Sequence, residues 1–230
     1  MKLLLFDIDQ TLVNTGGAGL RALDRACQKL FNIDHAVDGI SPHGKTDPAI
    51  VREILRVRLK NPSPSGREIE TILESYLSFL KDEIRMSTAY RVLPGIISLL
   101  DHLVAHDDAL LGLATGNIEM GGRLKLERGG LNRYFDFGGF GSDSENRTEL
   151  VLQGAARAAD KSGRCFEPQD VFVIGDTPLD IDAGKNAGFK TVGVATGSYS
   201  VEQLLEAGAT FAVTDLEKDR DYFMRSTFMA

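Results

Sequence analysis

The feature that most constrains this chain is a recurring unit, a short apolar run that stops abruptly at polar residues. Lys2–Phe6 (KLLLF) ends at Asp7-Ile8-Asp9, and Ala109–Ala114 (ALLGLA) ends at Thr115-Gly116-Asn117. Val171–Ile174 (VFVI) ends at Gly175-Asp176-Thr177, Lys190–Val194 (KTVGV) at Ala195-Thr196-Gly197, and Phe211–Val213 is a shorter fifth run. Short runs without polar alternation predict strands buried on both faces. Between them lie helical patterns. Ile96, Leu99, Leu100 and Leu103 share one face of Gly95–His106, and Glu149–Ala159 and Asp180–Ala187 read the same way. Strands alternating with helices predict an α/β fold, a Rossmann-like, doubly wound parallel sheet with right-handed crossovers.

The stretch 15–89 breaks this rhythm, because it holds no strand-like run. Gly19–Phe31 places Leu20, Leu23, Ala26, Cys27 and Leu30 on one helical face, and Asp47–Leu59 and Arg67–Ile84 predict two further helices. The breaker Asn61-Pro62-Ser63-Pro64-Ser65-Gly66 separates those two. The expected organisation is a core of residues 1–14 and 90–230, interrupted after its first strand by an all-helical domain of residues 15–89. Leu93-Pro94-Gly95 marks the return to the core, and Lys218–Ala230 shows no clear pattern.

The 230 residues suffice for one large domain or a core with an insertion, and 43% hydrophobic with 26% charged residues is ordinary globular composition. A net charge of -7 argues against a nucleic-acid footprint, which needs a basic patch. Cys27 and Cys165 form no CxxC pattern and read as reduced thiols. No apolar run approaches the ~18 residues of a membrane span. Lys2 is followed by only four apolar residues before Asp7, which does not fit a secretory leader. A cytoplasmic protein without membrane partners, monomeric or homodimeric, is expected.

Ligand sites in open parallel sheets form at the carboxyl ends of the strands. Three strand ends here carry polar residues suited to chemistry: Asp7/Asp9, Thr115/Asn117 and Asp176/Asp180. If the strands are neighbours, several carboxylates meet and repel. A hard divalent cation resolves that repulsion, and Mg²⁺ is the usual choice where carboxylates join water and phosphate oxygens. The pattern points to phosphoryl chemistry. Other readings exist for each piece. Asp7 and Asp9 could cap a turn, Thr115-Gly116-Asn117 could be a plain turn, and Asp176 with Asp180 could begin a helix. Among the histidines, His102 and His106 stand four apart on a helix, and His43 adjoins the Gly44-Lys45 loop, but His35, His43, His102 and His106 show no trusted ligand spacing.

Together these residues carry a resemblance. Asp7-Ile8-Asp9-Gln10-Thr11 fits the DxDxT signature of the haloacid dehalogenase superfamily, Thr115-Gly116-Asn117 resembles its second motif, and Gly175-Asp176-Thr177-Pro178-Leu179-Asp180 resembles its GDxxxD motif. Gly44-Lys45-Thr46-Asp47 is similar to a cap loop of the phosphoglycolate-phosphatase-like subgroup. The resemblance covers nearly the whole chain and implies a Mg²⁺-dependent phosphatase acting on a small-molecule phosphate monoester through an aspartyl-phosphate.

It further implies that Asp7 is the nucleophile and Asp9 the general acid and base. Asp7, Asp176 and the backbone carbonyl of Asp9 would bind the metal, with Asp180 as direct or outer support. Thr115, with the backbone of Gly116 and Asn117, would bind the phosphoryl group. The cap loop would bring Lys45 and Thr46 to the substrate, although a solvated loop is an equal reading of those two. The family's third motif supplies a lysine, and here the matching position is either Arg147 or Lys125. The related activities are a phosphomutase and a non-catalytic phosphometabolite-binding protein. A 2-haloacid dehalogenase does not fit, because those relatives lack the second aspartate of the first motif.

Overall fold

A computed structural model describes residues 1–105 and 109–229. Its centre is a six-stranded sheet. The strands are β1 (Lys2–Phe6), β4 (Ala109–Thr115), β5 (Gly138–Phe140), β6 (Val171–Gly175), β7 (Lys190–Val194) and β8 (Phe211–Val213), in spatial order β5-β4-β1-β6-β7-β8. Every pairing is parallel. The strand order reverses beside β1, whose neighbours are β4 on one side and β6 on the other. That reversal is where such sheets open a crevice.

The unbroken apolar run of β1 follows from burial on both faces. Leu4 and Phe6 point into a core shared with α4 (Ile96–Val104) and α9 (Arg220–Phe228). Leu3 and Leu5 point into another, shared with α6 (Arg147–Ser162) and α7 (Pro178–Asn186). Leu3, Leu4, Leu5 and Phe6 are all fully buried. The alternation of strand side chains thus feeds two layers of helices, as the doubly wound expectation requires.

Residues between β1 and β4 form α1 (Ala18–Phe31), α2 (Asp47–Arg58) and α3 (Gly66–Met86), which share a separate apolar cluster with Ile54, Ile72, Tyr76 and Leu80 at its heart. Their termini follow from local chemistry. The Thr46 hydroxyl caps α2 ahead of Pro48, Ser65 and Glu68 form a reciprocal capping box on α3, and Asn32 ends α1 in the left-handed region. A two-residue antiparallel ribbon, β2 (Val13–Asn14) with β3 (Arg91–Val92), ties together the two chain crossings between the helical segment and the sheet.

Several elements were not legible in the sequence. β5 is Gly-Gly-Phe, and α5 (Glu119–Glu127) contains Gly121 and Gly122, so both lack propensity and pattern. The patternless tail holds α9, which buries Phe223 against the sheet. The expected helix through His106 is described only to Val104, and His106 itself lies outside the described residues. Cys27 is buried as expected of a core thiol, whereas Cys165 is exposed.

The glycines of β5 have a packing cause. A Cβ on Gly139 would collide with the Leu150 carbonyl of α6, and one on Gly154 would stand 3.0 Å from the Gly139 nitrogen. Backbone meets backbone here, so the helix sits tight against the strand. Gly139→Ala must push α6 away; a loss of about 1–3 kcal/mol is expected from such overpacking, or roughly 3–10 °C in Tm for a chain of this size. Thermal unfolding followed by circular dichroism checks this, and an unchanged Tm would show that α6 is not held at that distance.

Candidate active site

The chain turns sharply where β1 ends. The backbone N–H of Asp7 donates to the Ile174 carbonyl of β6 at 2.8 Å, and the N–H groups of Leu12 and Val13 both donate to the Ile8 carbonyl. Ile8 is fully buried, so Asp7 and Asp9 are left on the crevice side of the loop. Gln10 takes a positive φ of 59° to close the turn, its N–H donating to the Val13 carbonyl. Asp7 and Asp9 both line a cavity of about 300 Å³, together with Thr115, Gly116, Asn117, Asp176 and Arg147. The three strand ends expected to converge do so.

Two groups of charges divide this floor. In the first, oxygens of Asp7, Asp176 and Asp180 all lie within 4.8 Å of one another, and all three residues are buried. Burial and the carboxylates beside it push the Asp176 pKa up to about 9. Burial, then the Asp180 charge, pushes Asp7 up to about 7, against the pull of Arg147 and a hydrogen bond from Thr115. Asp180 is spent locally. Its Oδ2 accepts from the N–H and hydroxyl of Thr177 in a capping box on α7, and its Oδ1 pairs closely with Arg147. A Cβ on Gly175 would overlap the Asp180 carboxyl, so the glycine of the GDxxxD pattern makes room for that fold-back.

In the second group Asp9 is held by two donors on one oxygen. Lys125 Nζ lies 2.6 Å and Asn117 Nδ2 2.8 Å from Oδ2. Asn117 Nδ2 also lies 2.8 Å from the Thr115 hydroxyl, so the loop after β4 reads as one hydrogen-bonded unit. The cation of the third motif was left between Arg147 and Lys125, and the structure brings both to the floor. Arg147 begins α6 and stands 3.9 Å from Asp7 while it pairs with Asp180. Lys125, on α5, serves Asp9.

Gly116 must be glycine, because a Cβ would run into the Lys45 carbonyl and stand 2.9 Å from Arg147. The loop before α2 lies over it. Lys45 lines the cavity, but its ammonium pairs with Glu53 at 2.5 Å. Thr46 departs from the expected substrate contact. It is buried, its hydroxyl is used to cap α2, and it is not among the cavity-lining residues. His43 is exposed and lines the cavity; His35 lies elsewhere, 3.9 Å from Asp38. The apolar side of the cavity is Leu20, Leu23, Ile50 and Tyr76 from the helical segment.

Three neighbours were missed in the sequence. Asp47 stands there only as the end of the cap-loop pattern and the start of a predicted helix, yet its carboxylate reaches the backbone N–H of Ile118. Tyr76 lies unremarked inside the predicted helix Arg67–Ile84; it is buried, yet it also borders the cavity. Gly197 follows β7, and a Cβ there would overlap the Asp176 carboxylate; the polar end of that fourth run was the available signal.

A parallel sheet whose first strand delivers an aspartate pair to a floor of buried acids and two cations defines a class of open α/β protein with an acid-lined site at its topological switch point. The comparisons give that class its family. Residues 4–194 match the sequence model described as haloacid dehalogenase-like hydrolase, so the chain belongs to that family. It is 26% identical to a protein of Clostridium perfringens (strain 13 / Type A) named for the pyrophosphatase PpaX, over 93% of this chain and 92% of that one. It is 24% identical to the phosphoglycolate phosphatase of Aquifex aeolicus (strain VF5), over 83% of each. The fold is shared with the crystal structure of a hydrolase from Pseudomonas syringae, at a TM-score of 0.73 and 21% identity, covering 98% of this chain and 99% of that one. These relationships place the chain among the family's phosphatases. Among the described residues no helix is long and apolar enough to cross a membrane.

The donor set fits a metal ion. Carboxylate oxygens are hard ligands, and burial, then the crowding of neighbouring carboxylates, raises the pKa values of Asp7 and Asp176, a cost that a divalent cation would relieve. Without metal, both folded pKa values exceed the unfolded value near 3.9, so the protonated forms favour folding. That stabilisation is present at low pH and is lost as pH rises through about 7 and then about 9. The metal-free protein should therefore lose Tm between pH 6 and pH 9.5. A millimolar divalent cation should restore it, with an increment that grows with pH because metal competes with protons. Thermal shift across that range, with and without chelator, tests this. A cation increment that does not depend on pH would remove these aspartates from the binding site.

Proposed function

We propose that this chain is a Mg²⁺-dependent phosphomonoesterase that cleaves a small phosphate ester through an aspartyl-phosphate on Asp7. The observation that carries the reading is the position of Asp7, buried at the end of β1 within the acid cluster and 3.9 Å from Arg147, with Asp9 on the same cavity.

Asp7 and Asp176, with the backbone carbonyl of Asp9, would hold Mg²⁺, and Asp180 would orient Arg147 and support the cluster. Bound there, the cation would offset the negative charge of phosphate and nucleophile. An Asp7 oxygen forms a bond to phosphorus as the ester P–O bond breaks, and the leaving oxygen takes a proton from Asp9. Asp9 then removes a proton from water, whose oxygen attacks phosphorus; the bond to Asp7 breaks and inorganic phosphate leaves. Thr115 and Arg147 hold the phosphoryl oxygens. Arginine at this place can offer two parallel hydrogen bonds, which lysine cannot. Lys125 and Asn117 both bind Oδ2 of Asp9 and so fix its carboxyl relative to the leaving group.

Residues 15–89 act as a cap on the core of 1–14 and 90–230. Their separate apolar cluster and the β2–β3 ribbon at both crossings support that division. A cap over a cavity of about 300 Å³ restricts the substrate to a small, soluble ester. Phosphoglycolate is one such ester and pyrophosphate another small phosphate substrate, and a cytoplasmic setting suits an enzyme of such small soluble substrates.

Phosphate release from a panel of small esters with Mg²⁺ tests the reading, with Asp7→Asn alongside. The asparagine keeps the shape and removes the nucleophile. Wild type is expected to turn over at least one ester, and Asp7→Asn to fall by at least about 10³-fold. Transfer of the phosphoryl group to a second substrate hydroxyl without phosphate release would make the enzyme a mutase. Undiminished turnover by Asp7→Asn, or turnover in excess chelator, would overturn the mechanism.

A further inference from the structure

Asp47 is buried at the start of α2, in the helical segment, yet its hydrogen bonds go to the sheet domain. Its backbone N–H donates to the Gly116 carbonyl at 2.8 Å. Its Oδ2 accepts from the Ile118 N–H at 2.9 Å. One residue therefore clamps both sides of Asn117, the side chain that holds Asp9 and Thr115. The clamp is close-fitting. A Cβ on Gly116 would strike the Lys45 carbonyl, and a Cβ on Gly141 would meet the Gly116 carbonyl and stand 3.2 Å from the Thr46 side chain.

The same carboxylate acts on Asp9 by a second route. Lys125 is buried and its charge is favoured first by Asp9 and next by Asp47. The charge of Asp47 thus favours the ammonium that pairs with Asp9. The carboxylate also lies at the N-terminal end of α5, where the free N–H groups of the first turn favour negative charge.

We propose that Asp47 is a positioning residue for the proton-transferring carboxyl: by clamping residues 116–118 from the helical segment, it sets Asp9 for the leaving group only while that segment is docked. This rests on the reading of Asp9 as general acid. Asp47 touches neither the phosphoryl group nor the attacking oxygen, so its removal should spare nucleophilic attack and impair protonation of the leaving oxygen.

Leaving-group dependence separates those two steps. An alkyl alkoxide must be protonated as it departs, whereas p-nitrophenolate leaves readily without a proton. The experiment measures kcat/KM, which reports the steps up to departure of the leaving group and not the shared hydrolysis of the aspartyl-phosphate, for p-nitrophenyl phosphate and for the best alkyl ester of the panel in wild type, Asp9→Asn, Asp47→Ala and Asp47→Asn. Asp47→Ala is expected to lose about 10²-fold on the alkyl ester and less than about fivefold on the aryl ester. Asp47→Asn keeps an oxygen for the Ile118 N–H but no charge for Lys125, and should recover to within about tenfold of wild type on the alkyl ester. Where Asp47→Ala melts below the assay temperature, Asp47→Asn carries the comparison alone, with a loss confined to the alkyl ester. Equal losses on both esters, or none on either, would overturn the proposal. If Asp9→Asn itself loses equally on both, the general-acid reading of Asp9 falls, and this inference falls with it. If Asp9→Asn discriminates and the Asp47 variants do not, the inference alone fails.

Discussion

Burying carboxylates side by side at the end of a sheet is the constraint on which the rest of this structure depends. Asp7, Asp176 and Asp180 share a space of less than 5 Å, which charged groups do not tolerate without compensation. The chain compensates in three ways at once. Arg147 pairs with Asp180 and approaches Asp7. The first turn of α7 folds Asp180 back onto Thr177 through its capping box. The cost of burial, with the repulsion that remains, appears as raised pKa values at Asp7 and Asp176, in a donor set that suits a hard cation. Each compensation brings an element with it: α6 starts at Arg147, and α7 starts where Asp180 must turn back.

The backbone adapts to the same constraint. Gly175 admits the Asp180 carboxyl, Gly197 admits that of Asp176, and Gly116 admits both Arg147 and the loop before α2. Gly139 and Gly154 let α6 lie directly on β5, which fixes the distance at which Arg147 enters the floor. The residues that carry charge are few, and the absence of side chains around them is as specific as their presence.

The fold was legible because burial on both faces of a parallel sheet leaves a simple mark, an apolar run with a polar end. Lys2–Phe6 and Val171–Gly175 carry it plainly. The elements that were not legible carry no such mark: β5 is two glycines and a phenylalanine, and α5 is interrupted by Gly121 and Gly122. The convergence of Asp7, Asp9, Thr115, Asn117, Asp176 and Asp180 could be read from strand ends alone, since topology brings such ends together. Contacts from the helical segment could not be. Thr46 and Asp47 stand side by side in sequence, but the cap geometry of α2 turns one hydroxyl inward to Ala49 and sends the next carboxylate to Ile118. Nothing in a linear pattern distinguishes a helix-capping threonine from a substrate contact.

The choice between Arg147 and Lys125 shows why a single motif position can be the wrong question. The floor contains two separate electrostatic tasks. One is to balance the acids around phosphorus, which suits a planar, permanently charged guanidinium able to serve Asp180 while facing Asp7. The other is to hold one carboxylate in one orientation, which suits a compact ammonium donating to a single oxygen of Asp9. Exchanging the two cations would leave a lysine to bridge two carboxylates and an arginine fork where Asn117 already occupies the neighbouring lone pair. The two residues are therefore not competing candidates for one role, and their chemical difference follows from the different geometry of the acids they serve.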